Sequence, residues 1–182
     1  MKLTYEILYK MFHDCYQNGK DLLEESKILF FHGKYQRAYT LAHFSTEETS
    51  KLPMLNTYMI GIMNNHKYDT NHLLKRLRNH TAKIEMYQMI LDWDDDFSIE
   101  ELKSLVTELN DKKNNSIYVS IFDTGYRTPK EEIGKKDAED MINSASYLLD
   151  FHERFVRYTM KELKNLQTSE LYDNLYAEYK EK

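Results

Sequence analysis

The chain has 182 residues, 41% of them apolar, with a formal net charge of −5 and only 5 glycines and 2 prolines. That length suits one domain with a substantial core, and no run of 18 apolar residues suggests a membrane span. A net negative chain is not drawn to nucleic acid as a whole, and a single cysteine, Cys15, excludes an intramolecular disulfide framework or a multi-cysteine zinc site.

The N-terminus, MKLTYEILYK, lacks the apolar stretch and cleavage site of a secretory signal, so a cytoplasmic protein is expected. One domain is expected over 1–182, its core spanning 16–166 between helical arms. Residues 16–32 place Leu22, Leu23, Ser26, Leu29 and Phe30 at helical spacing. After Gly33, residues 34–52 put Tyr35, Ala38, Tyr39, Ala42, Ser45, Thr46 and Thr49 on one face. Side chains this small, mixed with tyrosines, predict a close approach between helices. Pro53 ends that helix or occupies the first turn of the next, which covers 54–66.

Residues 70–92 carry the clearest pattern. Leu73, Leu77, Ile84, Tyr87 and Leu91 form one stripe of a single helix, with Asp69 or Thr70 as N-cap. An acidic loop, DWDDDF, follows at 92–97. SIEE at 98–101 is a capping box, Ser98 reaching Glu101, ahead of Leu102, Leu105, Val106 and Leu109. DKKNN at 111–115 reads as a loop. SIYVSIFD at 116–123 alternates weakly, as an extended segment would, but a lone strand has nothing obvious to pair with, so an irregular or helical connection packed on the bundle is preferred. TGYRTPKEEIG is a turn-rich link. A long helix is expected over 135–166, with Ala138, Met141, Ile142, Ala145, Leu148, Leu149 and His152 in register, then a last short helix from Thr168. The fold class is therefore all-α, a bundle of four to six helices with a long C-terminal helix.

Two groups of polar residues stand out. On the 70–92 wheel, His80 falls near Leu73, Ile84 and Tyr87, so it is expected to face the core, with Arg76 and Lys83 one turn to either side. The plain reading is a core histidine between two snorkelling cations. The sharper one is an acid–base or hydrogen-bonding site for an anion such as phosphate. In STEETSK, Glu47 and Lys51 stand at i, i+4 in the favourable order for an ion pair. That pair would neutralise the cations around His80 if the two helices were neighbours. The remaining histidines lack metal-ligand spacing, so no metal and no cofactor are expected.

Four stretches in this order, GKYQRAYTLAHFSTEETSK, LLKRLRNHTAKI, NSIYVSIFDTGYRTPKEEI and DAEDMINSASYLL, resemble the AbiV-type abortive-infection proteins, phage-defence proteins of the HEPN superfamily. Their EExxK element corresponds to Glu47, Glu48 and Lys51, HxxK to His80 and Lys83, and the (I/L)YV…P element to Ile117, Tyr118, Val119 and Pro129. The resemblance implies a HEPN helical bundle, a homodimer, and arrest of infection through a phage or host protein partner. It also implies an alternative, a metal-independent endoribonuclease acting on RNA. There His80 would serve as acid–base residue with Arg76 and Lys83 on phosphate, and Glu47, Glu48, Lys51, Asn79 and Tyr118 would form the surrounding polar cluster. Ribonucleases of the superfamily use an Arg-x(4–6)-His pair. Arg76 and His80 are one residue short of it, and Arg37 and His43 match it but point to diverging helix faces.

Overall fold

The computed structural model describes residues 3–63, 69–91 and 98–156. The acidic run at 92–97 and the expected helical segments beyond Val156 lie outside them. The described chain is a helical bundle: α1 (Tyr5–Phe31), α2 (Tyr35–Thr49), α3 (Lys51–Met63), α4 (Thr70–Arg78), α5 (His80–Leu91), α6 (Ile99–Asn115), a hairpin of β1 (Ser120–Phe122) and β2 (Gly125–Arg127), the single turn α7 (Pro129–Glu132), and α8 (Lys135–Val156). The all-α expectation and the long C-terminal helix both hold.

Helices α1 and α2 form the spine. Gly33, at φ 70°, closes α1: its own N–H donates to Phe30 and that of Lys34 to Leu29. That is the left-handed termination glycine favours, because it has no Cβ to clash. The two helices then run close together, as the small residues of α2 predict. A Cβ on Gly19 would stand 3.2 Å from the Thr49 methyl. Ser45 donates across the contact to the Gly19 carbonyl at 2.6 Å, and Ser26 to the Ala38 carbonyl at 2.7 Å. Buried hydroxyls that find backbone acceptors offset the cost of leaving water, so small polar side chains can stand where the helices approach too closely for larger apolar ones.

Around this spine lie three apolar clusters. Leu8 and Phe12 of α1 pack with Leu52, Leu55 and Met59 of α3 and with Leu73 and Leu77 of α4. Ala38, Tyr39 and Ala42 of α2 pack with Ala138, Met141, Ala145 and Leu149 of α8. Ile84 and Tyr87 of α5 pack with Val106 of α6 and Leu148 of α8.

Several local expectations change. The 70–92 helix is two helices, because Asn79 takes an extended conformation (φ −85°, ψ 117°) and its side chain accepts from the Ala82 N–H at 3.2 Å. A short amide side chain that can cap a helix competes with continuing one. The break sends Leu73 and Leu77 to one core and Ile84 and Tyr87 to another. DKKNN is the last turn of α6, not a loop, and the lysines there suit a helix C-terminus. Residues 120–122 do find a partner strand: Ser120 opposes Arg127 and Ile121 opposes Tyr126 across a two-residue turn. That hairpin is exposed instead of packed on the bundle. The helix expected over 16–32 begins earlier, at Tyr5, while the Ser98–Glu101 capping box and Pro53 in the first turn of α3 stand as expected.

Candidate functional site

The last full turn of α2 carries Glu47 inward, where only 3% of the residue is exposed. Its carboxylate gathers side chains from two other helices. Lys83 of α5 reaches Oε2 at 2.6 Å, His80 of α5 places Nδ1 2.7 Å from the same oxygen, and Lys113 of α6 lies 3.4 Å from Oε1. Lys113 also donates to Asn110 at 2.9 Å. One turn back on α2, His43 is fully buried with Nδ1 3.8 Å from Glu47, its ring between those of Tyr39 and Tyr87.

Local structure explains each position. The break at Asn79 makes His80 the first residue of α5, and Lys83 follows one turn later on the side that packs toward α2. Lys113 stands seven residues beyond Val106, two helical turns along the buried stripe of α6. Lys83 and Lys113 are both buried. Two ammonium groups thus share one carboxylate, and buried charges of this kind persist only where they are paired. Burial alone would raise the Glu47 pKa, but Lys83, with His43 and Lys113 behind it, outweighs burial and holds the carboxyl below its usual range. Burial pushes His43 the other way, down to about 4; Glu47 opposes that shift and Lys113 adds to it, so the ring is neutral at physiological pH.

His80 is the outward member. Its side chain is 56% exposed, so it does not face the core as the single-helix wheel required. A carboxylate only accepts, which places the proton of a neutral His80 ring on Nδ1 and leaves Nε2 as an acceptor on the solvent side. The arrangement can therefore clamp α2, α5 and α6 together while presenting one oriented imidazole at the surface. Among the described residues, no group of three or more His, Cys, Asp or Glu side chains could hold a metal ion.

The other residues singled out from the sequence fall elsewhere. Arg76 is half-buried on α4, across the Asn79 break from His80. Asn79 is the cap between the helices. Glu48 points away from Glu47 and pairs with Lys51, so the expected Glu47–Lys51 pair is replaced by Glu48–Lys51. Tyr118 is exposed beyond the end of α6, its backbone N–H bonded to Asn114. Two members of the centre hold roles the sequence does not assign them. His43 stands out in the sequence only as the histidine of the Arg37–His43 spacing, not as a neighbour of Glu47. Lys113 was assigned to a loop, although its seven-residue spacing from Val106 marks the buried stripe of α6.

A family model described as AbiV matches residues 8–150, which include every helix of this centre. No curated protein and no solved structure matches the chain.

Proposed function

The chain belongs to the AbiV-type HEPN family, and from that premise we propose that it is an abortive-infection protein that arrests phage infection by binding a phage or host protein. The observation that carries this reading is the Glu47 centre. Lys83, offered by the sequence as a phosphate-holding cation, is buried and committed to Glu47. Arg76 belongs to a different helix from His80. Glu47, His80 and Lys83 of the family elements, with Lys113, thus act chiefly to lock α2, α5 and α6 into one shape, and a fixed shape is what a binding protein requires.

A second reading rests on one specific feature, the exposed His80 whose Nδ1 is held by a buried carboxylate. A carboxylate-oriented imidazole is the usual form of a general acid–base group, so a nuclease centred on Nε2 is the alternative.

The two separate in cells carrying the wild type or His80→Ala, compared for phage plaquing and for integrity of bulk RNA after infection. The binding reading expects a folded His80→Ala protein to protect as the wild type does, with RNA unaffected by the substitution. Joint loss of RNA cleavage and protection in a folded variant would establish the nuclease instead.

A further inference from the structure

The hairpin and the outer side of α6 form one exposed surface, and its reading as a docking site rests on the binding reading above. β1 and β2 pair only with each other, so each strand keeps one edge without a strand partner among the described residues. The side chains are as open as the backbone. Ile121 and Tyr126, directly opposed across the hairpin, are 86% and 70% exposed, and Phe122, Tyr118 and Val119 are exposed beside them. Large apolar and aromatic residues clustered on an otherwise charged surface mark a binding site. An isolated two-stranded hairpin is itself marginal in water.

An open groove of about 620 Å³ runs alongside, lined by Glu108, Asp111, Asn115 and Glu132 among others. Two contacts make the groove and hairpin one continuous surface. Ser120 of β1 donates to Asn115 on the groove wall, and Arg127 of β2 reaches Glu132 there at 3.1 Å. The groove is acidic. Its one ammonium, Lys112, is turned to Asp137 at 2.6 Å, whereas Glu108 and Asp111 are exposed and make no ion pair among the described residues.

We propose that this surface docks an extended, basic segment of a partner protein. The segment adds as a strand to an edge of the hairpin, sets apolar side chains against Ile121 and Tyr126, and places lysine or arginine over Glu108 and Asp111. Backbone pairing at an open edge supplies affinity without regard to sequence, apolar contacts on one face fix register, and the carboxylates select the charge.

Fluorescence anisotropy of the full chain tests this with two labelled eight-residue peptides, one alternating lysine with valine and isoleucine, the other with glutamate in place of lysine. The basic peptide is expected to bind at least tenfold more tightly than the acidic one, and less tightly as salt rises. Ile121→Asp and the double variant Glu108→Lys/Asp111→Lys should each weaken it about tenfold. Glu100→Lys, at the far end of α6, should leave it unchanged, and circular dichroism should show all variants folded. Equal affinity for the two peptides, no binding at millimolar concentration, or equal weakening by Glu100→Lys would overturn the proposal. So would sedimentation showing wild-type self-association that Ile121→Asp abolishes, since a second copy would then be the occupant. Phage plaquing separates this failure from that of the broader reading. If Ile121→Asp and Glu108→Lys/Asp111→Lys protect fully while His80→Ala also protects, protein binding survives and only this surface is wrong.

Discussion

Glu47 and Glu48 are neighbours on the same turn of α2, yet they do opposite work. Glu47 turns inward and is shared by His80, Lys83 and Lys113 from two other helices. Glu48 turns toward α1 and α3, half-buried, where it pairs with Lys51 three residues on and accepts a hydrogen bond from the Cys15 thiol of α1. Near that second pair sits Cys15, whose thiol burial pushes up to about 11, with Lys51 pulling against the shift and Glu48 adding to it. One carboxylate collects three nitrogen-bearing side chains from two other helices, and the other makes a single ion pair, with a residue three positions on. The contrast teaches that an ion pair matters to a fold through what it connects and how dry it is, more than through its charge.

The sharpest way to break the contrast is to remove both carboxylates in turn. Glu47→Ala leaves two buried ammonium groups without a counter-charge, and should lower stability by about 3–5 kcal/mol in urea unfolding. Glu48→Ala should change it by no more than about 1 kcal/mol, because that pair is short-range and partly wetted. Equal losses for the two would dissolve the distinction.

Acid should act on the same side. His43 has a folded pKa of about 4, below its unfolded value near 6.5, so the unfolded chain takes up the proton first. Stability from its neutral form is complete above pH 6.5 and declines as pH falls toward 4, by roughly 1 kcal/mol per unit. Glu47, with its folded pKa depressed, adds a loss at still lower pH as its carboxyl is protonated. Urea midpoints at pH 7, 5.5 and 4.5 should therefore fall steadily for the wild type. They should fall less for His43→Gln, measured against its own value at pH 7, and as steeply as the wild type for Glu48→Gln.

The smallest effect sharpens the comparison from a third place. Ser98 and Glu101 cap α6 at the surface, with the Ser98 hydroxyl accepting from the Glu101 N–H at 3.2 Å. Ser98→Ala removes one exposed cap and should cost about 1 kcal/mol, well under Glu47→Ala, by thermal unfolding.

Much of this molecule was open to reading along one dimension. The helical class, the close α1–α2 contact, the α6 capping box and the long α8 all follow from periodicity, small residues and cap chemistry, because those signals arise between residues a few positions apart. The order of the family elements was equally local, and it led to the family that the match over residues 8–150 establishes. What connects residues 47, 80, 83 and 113 was not legible, because spacing within one helix says nothing about which helix comes to lie beside it. The misplaced inward face of His80 has a single cause. A wheel drawn through 70–92 assumes an unbroken helix, and Asn79 spends its side chain capping α5. The hairpin escaped for a related reason: three residues of strand give almost no pattern until their partner, a two-residue turn away, is in place. The sequence by itself determined the helical class, the capped start of α6, the glycine stop of α1 and the family. Only the tertiary structure decided that Glu47, and not its neighbour, would be the carboxylate around which three helices meet, since burial and charge pairing are settled by which surfaces finally touch.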